Sequence, residues 1–599
     1  MASFLKKLTH RAVIGVMMCV GLASCSKPEQ ATLLITYTGN VHGAIFPYDF
    51  KADTATKLSL ANASTFIHDM RGIFGAENSL TLDVGGTMTG RPEAYYSNYI
   101  DTLHEPMYYR AERLIGYDAI GLAQHDLDVS ECLSPRRRSP SYDRPIICAN
   151  IIDSRTRKPY FQPYKVFKRA GVKVAVLGLT SPEINAILPK SEWRYIQTQD
   201  MVECAHQWVD YIKEHEAPDV LIGLLGTSRK FSDPANDVSF DSYKNPNGAL
   251  PTAIRVPGFD IVYLADDADE RMYEVTNDAG KNVKVVNVGV LGRNVGSTII
   301  HLTKEEDGSY TKRIFNSIAR TSRFAVDSTF VKVFEEEFKG IHQWMNEPLG
   351  SFSEPIYPAR GLSEPSSYRA LIHEAQLWYT DADISLTGIL TSTPVFKSGS
   401  VCMRDLLDFY KFENYLMTLS MTGEELHRLL EYTYGLQFQQ MHGPDDQMLA
   451  FAKDPFGHIL YDPQGHPYLS IRQSSYLSAG GIVYSVDVSK PVGERVTITS
   501  MKDGRPFDPR SNYMVVINSF HGLDGDNLLT KGIGWNKESL QMHVRTSELI
   551  NIREAISEYI KDRRTVPAPD ARPEWTLLPT EWTRRAQERN AKNPAPVWK

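Results

Sequence analysis

The sequence predicts an α/β protein with two domains joined by a helix. A chain of 599 residues with 42% hydrophobic content exceeds what one hydrophobic core usually organises, so two domains are expected. In the first half, short apolar runs alternate with segments of helical periodicity, which is typical of a layered α/β fold. A long amphipathic segment over residues 326–350 separates this half from the second.

The N-terminal residues predict an export signal. Three cations among the first eleven residues precede an apolar run over 12–23, which ends in Leu22-Ala23-Ser24-Cys25. This run is shorter than the roughly 20 residues that a membrane-spanning helix needs. The pattern indicates a lipoprotein signal peptide over residues 1–24, with lipid attached to Cys25. We therefore expect a cell-envelope protein, lipid-anchored to a bacterial membrane and either periplasmic or surface-exposed.

Composition excludes several other classes. The formal net charge of -7 disfavours nucleic acid as a partner. The spacings of the four cysteines beyond the signal region match no zinc ribbon, and they leave disulfide pairing open. The sequence contains no serine nucleophile elbow, Walker loop, dinucleotide glycine motif or zincin helix.

The first domain, residues 25–325, is predicted from its buried strands. Apolar runs of four to eight residues suit strands that are covered on both faces. They are Leu33–Thr38, Ser79–Val84, Ala119–Ala123, Pro145–Asn150, Val172–Leu179, Val220–Leu225 and Ile261–Ala265. Between them, apolar positions from Val202 to Ile212 are spaced for one face of a helix.

The remaining elements follow in order. Apolar positions from Phe330 to Met345 recur every three or four residues, which predicts one linker helix within 326–350. In the second domain, residues 351–565, Thr422-Gly423-Glu424-Glu425 predicts a capping box at a helix start. A later helix is predicted over about 547–561. Residues 566–599 are rich in Pro, Arg and Trp and are predicted to form a surface tail.

Several segments, in a fixed order, resemble the 5′-nucleotidase and 2′,3′-cyclic phosphodiesterase family. The first-half segments are Ile35-Thr36-Tyr37-Thr38-Gly39-Asn40-Val41-His42-Gly43, Leu82-Asp83-Val84-Gly85-Gly86, Gln124-His125-Asp126-Leu127-Asp128 and Leu177-Gly178-Leu179-Thr180-Ser181-Pro182-Glu183. The second-half segments are Met421-Thr422-Gly423-Glu424-Glu425-Leu426, Pro491-Val492-Gly493-Glu494-Arg495-Val496 and Asn518-Ser519-Phe520-His521-Gly522-Leu523-Asp524-Gly525-Asp526. The resemblance implies an N-terminal four-layer, metallophosphatase-like α/β/β/α sandwich, a linker helix and a C-terminal α+β substrate-binding domain.

The metal ligands that the resemblance implies are mostly replaced. Phosphoester hydrolysis by two cations about 3.5–4 Å apart needs a bridging carboxylate. Asn40 stands where the family has its first aspartate, and Gly86 stands at the bridging aspartate. A degenerate metal set of His42, Asp266 and Gln124 remains, with Leu224 at one lost histidine position. We expect no cofactor or a single divalent metal, and a dinuclear site is disfavoured.

His125 is the catalytic residue that the resemblance retains. In the family it stabilises the transition state, and here either Asp126 or Asp128 could orient it. The alternative is that His125 is only a hydrogen-bonded residue in a cleft that has lost its chemistry.

The second domain keeps the positions that hold a nucleoside in the family. Phe412 and Phe520 match two aromatic residues that stack on the base, Asn414 matches a base contact, and Asp526 matches a ribose contact. The alternative is that these aromatics belong to an ordinary core. A family arginine that binds phosphate is missing, and Arg360 or Arg369 could replace it.

Three functional hypotheses follow. The sequence favours an exported lipoprotein that binds a nucleoside or nucleotide with weak or no phosphohydrolase activity, with an envelope transport complex as a candidate partner. The second hypothesis is an active 5′-nucleotidase-type phosphoric monoester hydrolase with a rearranged metal site. The third is a structural partner in a cell-envelope complex.

Overall fold

The computed structural model describes residues 29–129, 132, 145–182, 194–227, 248–265, 268–392, 395–545, 550–567 and 575–590. Cys25 and Asp266, two predicted site residues, lie outside these ranges. In the described part of the chain, every helix is too short or too polar to cross a bilayer.

Two large sheets form the first domain, and their strands match most of the apolar runs. The strands, in chain order, are β1 Gln30–Thr38, β2 Tyr48–Asp49, β3 Thr54–Ala55, β4 Ser79–Asp83, β5 Ala119–Ile120, β6 Ile151–Asp153, β7 Lys158–Pro159, β8 Tyr164–Arg169, β9 Val172–Thr180, β10 Ile196–Thr198, β11 Val220–Gly226, β12 Ile261–Leu264, β13 Glu270–Thr276, β14 Asn282–Val288, β15 Asn294–Lys304 and β16 Tyr310–Arg320. One sheet has the order β16-β15-β1-β4-β5, and the other has the order β13-β14-β12-β11-β9-β8.

The layers stack as an α/β/β/α sandwich, as predicted. Leu33, Leu82 and Ile222 are among the buried residues that fill the space between the two sheets. Helices α1 Leu60–Phe74, α3 Met107–Ile115, α4 Met201–His215 and α5 Ala249–Arg255 cover the outer faces, and the one-turn helix α2 Pro92–Tyr95 follows the loop after β4. Because β1, β4 and β5 run parallel, their carboxyl ends meet at one edge, where ligand sites of such sheets usually form.

The predicted linker helix is interrupted. Helix α6 spans Ser328–Val333 and helix α7 spans Glu335–Met345, with Phe334 between them at φ -112° and ψ 21°. The Phe334 ring is fully buried and meets the Phe46 and Phe330 rings edge-on or tilted at centroid distances of 6.1 and 5.3 Å. The prediction of one continuous helix is therefore wrong, since anchoring this ring in the core outweighs regular helical geometry.

The second domain combines three small sheets with helices. Its strands are β17 Pro348–Phe352, β18 Ile384–Thr387, β19 Gly399–Cys402, β20 Leu416–Thr422, β21 Ser478–Gly480, β22 Ile482–Asp487, β23 Val496–Met501, β24 Asn512–Asn518, β25 Thr565–Val566 and β26 Trp575–Leu578. Its helices are α8 Ser367–Thr380, α9 Met403–Phe409, α10 Gly423–Gln437, α11 Ser519–Gly522, α12 Leu528–Ile533, α13 Lys537–His543, α14 Ile552–Arg563 and α15 Thr580–Asn590. The predicted capping box is present, since Thr422 and Glu425 exchange side-chain and backbone hydrogen bonds at 2.9 and 3.2 Å.

Some predicted boundaries differ from the structure. The predicted strand over Pro145–Asn150 makes only isolated bridges through Ile146 and Ile147. The helix predicted over about 547–561 begins later, because the Asn551 side chain caps the backbone N–H of Arg553 at 3.0 Å.

The predicted surface tail is part of the second domain where it is described. Strand β26 pairs in parallel with β22, and the Trp575 side chain is buried against Tyr434 and Tyr484. The pattern of Pro and Arg residues suggested an exposed segment, but the apolar residues of β26 complete the core of this sheet. The second domain therefore extends at least to residue 590.

One hydrophobic cluster crosses the boundary between the domains. Residues Ile67 and Tyr109 of the first domain, Phe334 of the linker, and Tyr368 and Tyr559 of the second domain belong to the same buried cluster. The two halves are therefore packed as one body, and residues of both can line a common cleft.

Candidate functional site

The loops that follow β1 and β4 are joined by backbone hydrogen bonds. Asn40 N–H donates to the Gly85 carbonyl at 2.8 Å, and His42 N–H donates to the Gly86 carbonyl at 2.6 Å. Both Asn40 and His42 have left-handed backbone conformations, with φ of 50° and 49°. The structure thus brings together the two segments that the sequence assigned to a metal centre.

Gly86 has a backbone conformation in which an added side chain would be strained. Its φ is +82°, and a Cβ placed on it would lie 2.8 Å from Asn40 Oδ1. Side chains rarely adopt this backbone region, and the distance is shorter than real Cβ contacts. The loop conformation therefore depends on glycine at this position.

The Asp126 side chain is hydrogen-bonded to backbone N–H groups. Its buried carboxylate accepts hydrogen bonds from the N–H groups of Gly86 at 2.6 Å, Thr87 at 3.0 Å, Met88 at 3.0 Å and Ala123 at 3.0 Å. These bonds fix the loop after β4 against the short 3₁₀ helix Gln124–Asp128. Asp126 therefore acts as a structural anchor and does not orient His125.

Asp128 is the acid that pairs with His125. His125 Nδ1 and Asp128 Oδ2 are 2.8 Å apart, and the imidazole remains about half exposed. Burial raises the pKa of Asp128, which the histidine partly opposes. The Asp128 carbonyl accepts a hydrogen bond from the Tyr415 hydroxyl at 3.3 Å, so the second domain supports this pair.

The ends of β4 and β11 pack directly against backbone. A Cβ on Gly85 would lie 2.4 Å from Ala123 N, and a Cβ on Gly226 would lie 1.7 Å from the Leu122 carbonyl oxygen. Leu224, assigned to a lost histidine position, is fully buried between the sheets. Gly85 and Gly226 were not predicted as site residues, although a glycine pair and a glycine at a strand end are signals of close backbone approach.

Two titratable side chains close to Gly86, His42 and Asp83, are largely buried. His42 is buried, and burial together with nearby His125 lowers its pKa, so its imidazole is neutral at pH 7. Asp83 accepts from Thr38 and from Gly85 N–H, and burial raises the pKa of Asp83 to about 7. Among the residues that the structure describes, no group of three or more His, Cys, Asp or Glu side chains is arranged to hold a metal ion. Asp266, the third member of the predicted set with Gln124, lies outside the described residues.

The second-domain segment over 412–414 lies beside the first domain. The Glu413 carboxylate accepts a hydrogen bond from Gly90 N–H at 3.3 Å, and burial raises the pKa of Glu413. Phe412 is 48% exposed, whereas Asn414 is buried and donates to the Tyr410 hydroxyl at 3.3 Å. Phe412 is therefore available to a ligand, and Asn414 is held in a fixed position.

Phe520 and Asp526 lie on the turn after β24. The partly exposed Phe520 ring packs edge-on against the His521 ring at a centroid distance of 5.2 Å. Asp526 Oδ2 lies 2.8 Å from His521 Nδ1 and accepts from the Ser475 hydroxyl at 2.8 Å. Burial alone would raise the pKa of Asp526. The interactions with His521 and Ser475 outweigh this effect, so the pKa is lowered. This carboxylate is held in the charged form.

A cleft of about 520 Å³ opens where the domains meet. Its lining includes His42, Gly90 and Arg91 from the first domain and Asp408 from the second. Lys51 Nζ and Asp408 Oδ1 form an ion pair across the boundary at 2.6 Å. Arg91, like Glu413, was not singled out by the sequence analysis, because nothing in the local sequence shows that these segments meet.

Arg369 does not replace the missing phosphate-binding arginine. Its guanidinium is buried, donates to the Gly361 carbonyl at 2.8 Å, and lies over the Trp575 ring at 5.2 Å. Arg360 lies over the Tyr357 ring at 4.5 Å. The expectation that Arg369 could bind phosphate is wrong, because its guanidinium is buried in the second-domain core, where Nη1 and Nη2 donate to backbone carbonyl groups.

Comparison with known proteins agrees with this architecture. Residues 350–531 match the family model described as 5′-nucleotidase, C-terminal domain. The chain is 22% identical over 568 residues to the 2′,3′-cyclic-nucleotide 2′-phosphodiesterase/3′-nucleotidase of Salmonella typhimurium, covering 84% of this chain and 83% of that protein. It is 23% identical over 591 residues to protein UshA of Yersinia enterocolitica, covering 92% and 95%.

Solved structures share the fold along most of the chain. A 5′-nucleotidase candidate from Staphylococcus aureus superposes with a TM-score of 0.65 at 17% identity, covering 91% of this chain and 100% of that one. The 5′-nucleotidase precursor of Thermus thermophilus gives a TM-score of 0.54 at 19% identity, covering 92% and 99%.

The fold is a metallophosphatase-like α/β/β/α sandwich followed by a domain that matches the 5′-nucleotidase C-terminal domain. Residues 350–531 match the C-terminal domain of 5′-nucleotidases, and over most of its length the chain is similar to 5′-nucleotidases and 2′,3′-cyclic phosphodiesterases.

Proposed function

We propose that this protein binds a nucleoside or nucleotide at the interdomain cleft and hydrolyses phosphate esters weakly or not at all. One observation carries the proposal: the Asp126 carboxylate is engaged by backbone N–H groups beside Gly86, where no side chain is available to bridge two cations. Two adjacent dications need a shared anionic ligand to offset their repulsion.

The second domain supports nucleoside binding. Exposed Phe412 offers a stacking surface, and ionised Asp526 offers a charged acceptor for ribose hydroxyls. Stacking on an aromatic ring contributes about 1–3 kcal/mol per base. A hydrogen bond to a charged group adds about 1.5–3 kcal/mol. Two aromatic contacts and one carboxylate approach the roughly 8 kcal/mol that corresponds to micromolar affinity.

Export and membrane attachment are part of the proposal. The cationic start, the short apolar run and Cys25 support a lipoprotein of the cell envelope. Metabolic labelling with a radioactive fatty acid should mark the wild-type chain and leave the Cys25→Ala variant unlabelled. Incorporation of label by the variant would contradict attachment at Cys25.

An active phosphohydrolase is the second candidate. The retained His125–Asp128 pair and the buried His42 favour it, as do relatives named as nucleotidases and phosphodiesterases. In this case a single divalent metal would be held by His42 with Gln124 and Asp266, and it would polarise the phosphoryl group. Release of phosphate from AMP or p-nitrophenyl phosphate should then depend on added Mn²⁺ or Zn²⁺.

A thermal-shift panel separates these candidates and the structural-partner hypothesis. A ligand present at a hundredfold excess over its Kd stabilises the folded state by about 2.7 kcal/mol. Our proposal expects adenosine and AMP to raise the Tm, Mn²⁺ and Zn²⁺ to leave it unchanged, and phosphate release to stay near the buffer rate. Metal-dependent turnover would support the hydrolase instead. No shift with any addition would favour a structural partner in an envelope complex.

A further inference from the structure

Arg91 lies in the wall of the interdomain cleft with incompletely used hydrogen-bonding capacity. Its side chain is 12% exposed, and Nη2 donates to the Tyr48 carbonyl at 3.3 Å. Its carboxylate neighbours are further away, with Asp49 at 3.4 Å and Glu93 at 3.7 Å. Close charge-assisted bonds measure about 2.7–2.9 Å, so neither acid forms a tight pair with this guanidinium.

Glu93 does little to neutralise Arg91. Its side chain is fully buried, and neither carboxyl oxygen has a hydrogen-bond partner in the described part of the chain. Burial raises the pKa of Glu93 to about 8, although Arg91 opposes this shift. The carboxyl group is therefore mostly protonated at pH 7. Asp49 remains as a partner, but it is 39% exposed and also accepts backbone N–H groups of its own turn.

The other charged groups of the cleft neutralise each other. Lys51 forms its 2.6 Å ion pair with Asp408. The cleft therefore presents one guanidinium whose charge and donors are only partly satisfied, in a space large enough for a phosphorylated sugar.

The cleft is also adjacent to the nucleoside-binding segment. The hydrogen bond from Gly90 N–H to Glu413 links the residue before Arg91 to the residue after Phe412. A ligand that stacks on Phe412 therefore lies next to the segment of the first domain that carries Arg91.

We infer that the interdomain cleft binds the phosphate group of a nucleotide directly through the Arg91 guanidinium, with no metal ion between them. This inference rests on the proposed function for the nucleoside part of the ligand. The planar fork of arginine matches two phosphate oxygens, and partial exclusion of water strengthens the contact. The site thus prefers nucleoside monophosphates to nucleosides.

The test uses the full-length chain in a buffer that contains EDTA. Adenosine and AMP are titrated by calorimetry into the wild type and into Arg91→Met, Arg91→Lys and Arg155→Met. Arg155 is the matched control, because it pairs with Asp153 at 2.6 Å on the surface of the first domain. Inorganic phosphate is added separately and followed by its ³¹P line width, which tests the anion site without a nucleoside.

The expected result is at least tenfold weaker AMP binding by Arg91→Met, with adenosine affinity unchanged and Arg155→Met equal to the wild type. Arg91→Lys keeps the charge and should fold even if Arg91→Met does not, and it should lose part of the affinity for AMP. The wild type should broaden the phosphate line, and Arg91→Met should not.

Equal AMP binding by the wild type and both Arg91 variants would overturn the inference, as would binding of AMP only after a divalent metal is added. Failure of adenosine to bind while Arg91-dependent phosphate broadening persists would instead contradict the nucleoside part of the proposed function alone.

Discussion

The Asp126 carboxylate accepts a hydrogen bond from the backbone N–H of Gly86 at 2.6 Å. Three further N–H groups, from residues 87, 88 and 123, converge on the same carboxylate. Asp126 therefore stabilises the loop that carries Gly86. Gly86, which stands where the resemblance places the bridging aspartate, has no side chain that could bind a cation.

Replacing Asp126 should be costly for stability. In Asp126→Asn one acceptor oxygen becomes an NH₂ group that faces backbone donors, and buried N–H groups lose their partner. We expect the free energy of unfolding in urea to fall by about 3 kcal/mol or more. Asp153→Asn is the control, since Asp153 also accepts backbone N–H groups but in an exposed turn. Equal losses for the two variants would contradict the anchoring role.

A side chain at position 86 should strain the loop. Gly86→Ala places a Cβ in a left-handed backbone conformation close to Asn40, so we expect a loss of about 1–3 kcal/mol in denaturant unfolding. At the exposed Gly72 of helix α1, an added Cβ would have no atom within 4 Å. Gly72→Ala should therefore stabilise the protein by up to about 1 kcal/mol. A stabilised Gly86→Ala variant would refute this account of the loop.

Loss of the exposed ring at position 412 should weaken nucleoside binding. Because stacking on one aromatic ring contributes about 1–3 kcal/mol, Phe412→Ala should raise the Kd for adenosine about tenfold in calorimetry. Phe456 is 85% exposed on the second domain and serves as the control. We expect Phe456→Ala to bind adenosine like the wild type. Unaltered binding by Phe412→Ala would show that this ring does not contact the ligand.

Glu93 should make stability depend on pH. Burial raises the pKa of Glu93 to about 8 in the folded state, above the value of about 4.3 for an unfolded glutamate. The folded chain therefore holds a proton that the unfolded chain releases between these values. The corresponding stabilisation is complete below about pH 4 and is lost as the pH rises through about 8.

Glu93→Gln should remove this dependence. We expect the wild-type and variant stabilities to differ by no more than about 1 kcal/mol at pH 5, and the variant to be more stable by up to about 5 kcal/mol at pH 9, as measured by urea unfolding. Glu494→Gln changes an exposed glutamate and should follow the wild-type profile. Parallel profiles for the wild type and Glu93→Gln would contradict the raised pKa.

The last described strand should be essential to the second domain. Trp575→Ala removes a buried ring that contacts Tyr434, Tyr484 and the Arg369 guanidinium, and we expect a loss of about 3–5 kcal/mol. Trp378 is 41% exposed, so Trp378→Ala should cost less than half as much. If both variants melt at the wild-type temperature, β26 does not contribute to the core.

Elements covered on both faces could be predicted from the sequence. Strands β4 and β9 differ by one residue from the predicted runs, because burial on both sides requires continuous apolar character. The break at Phe334 and the insertion of Trp575 could not be predicted, since each depends on aromatic partners that are distant in the chain.

Only the parts of the site that lie within short sequence motifs could be predicted from the sequence. The resemblance identified the loops at Asn40, Gly86 and His125, and the structure brings the first two into contact. The choice of Asp128 as the partner of His125, like the meeting of Gly90 with Glu413, depends on three-dimensional geometry. The second contact joins residues that are 323 positions apart.

The close approach of Gly86 to Asn40, and of Gly226 to Leu122, also limits how this chain can evolve. A single substitution that enlarges either glycine meets a neighbour that must move first. Single substitutions toward a metal-binding loop at these positions therefore give less stable variants, unless neighbouring residues change at the same time. These two glycines are therefore difficult to substitute. Changes in activity should arise more readily from substitutions of the side chains that line the cleft.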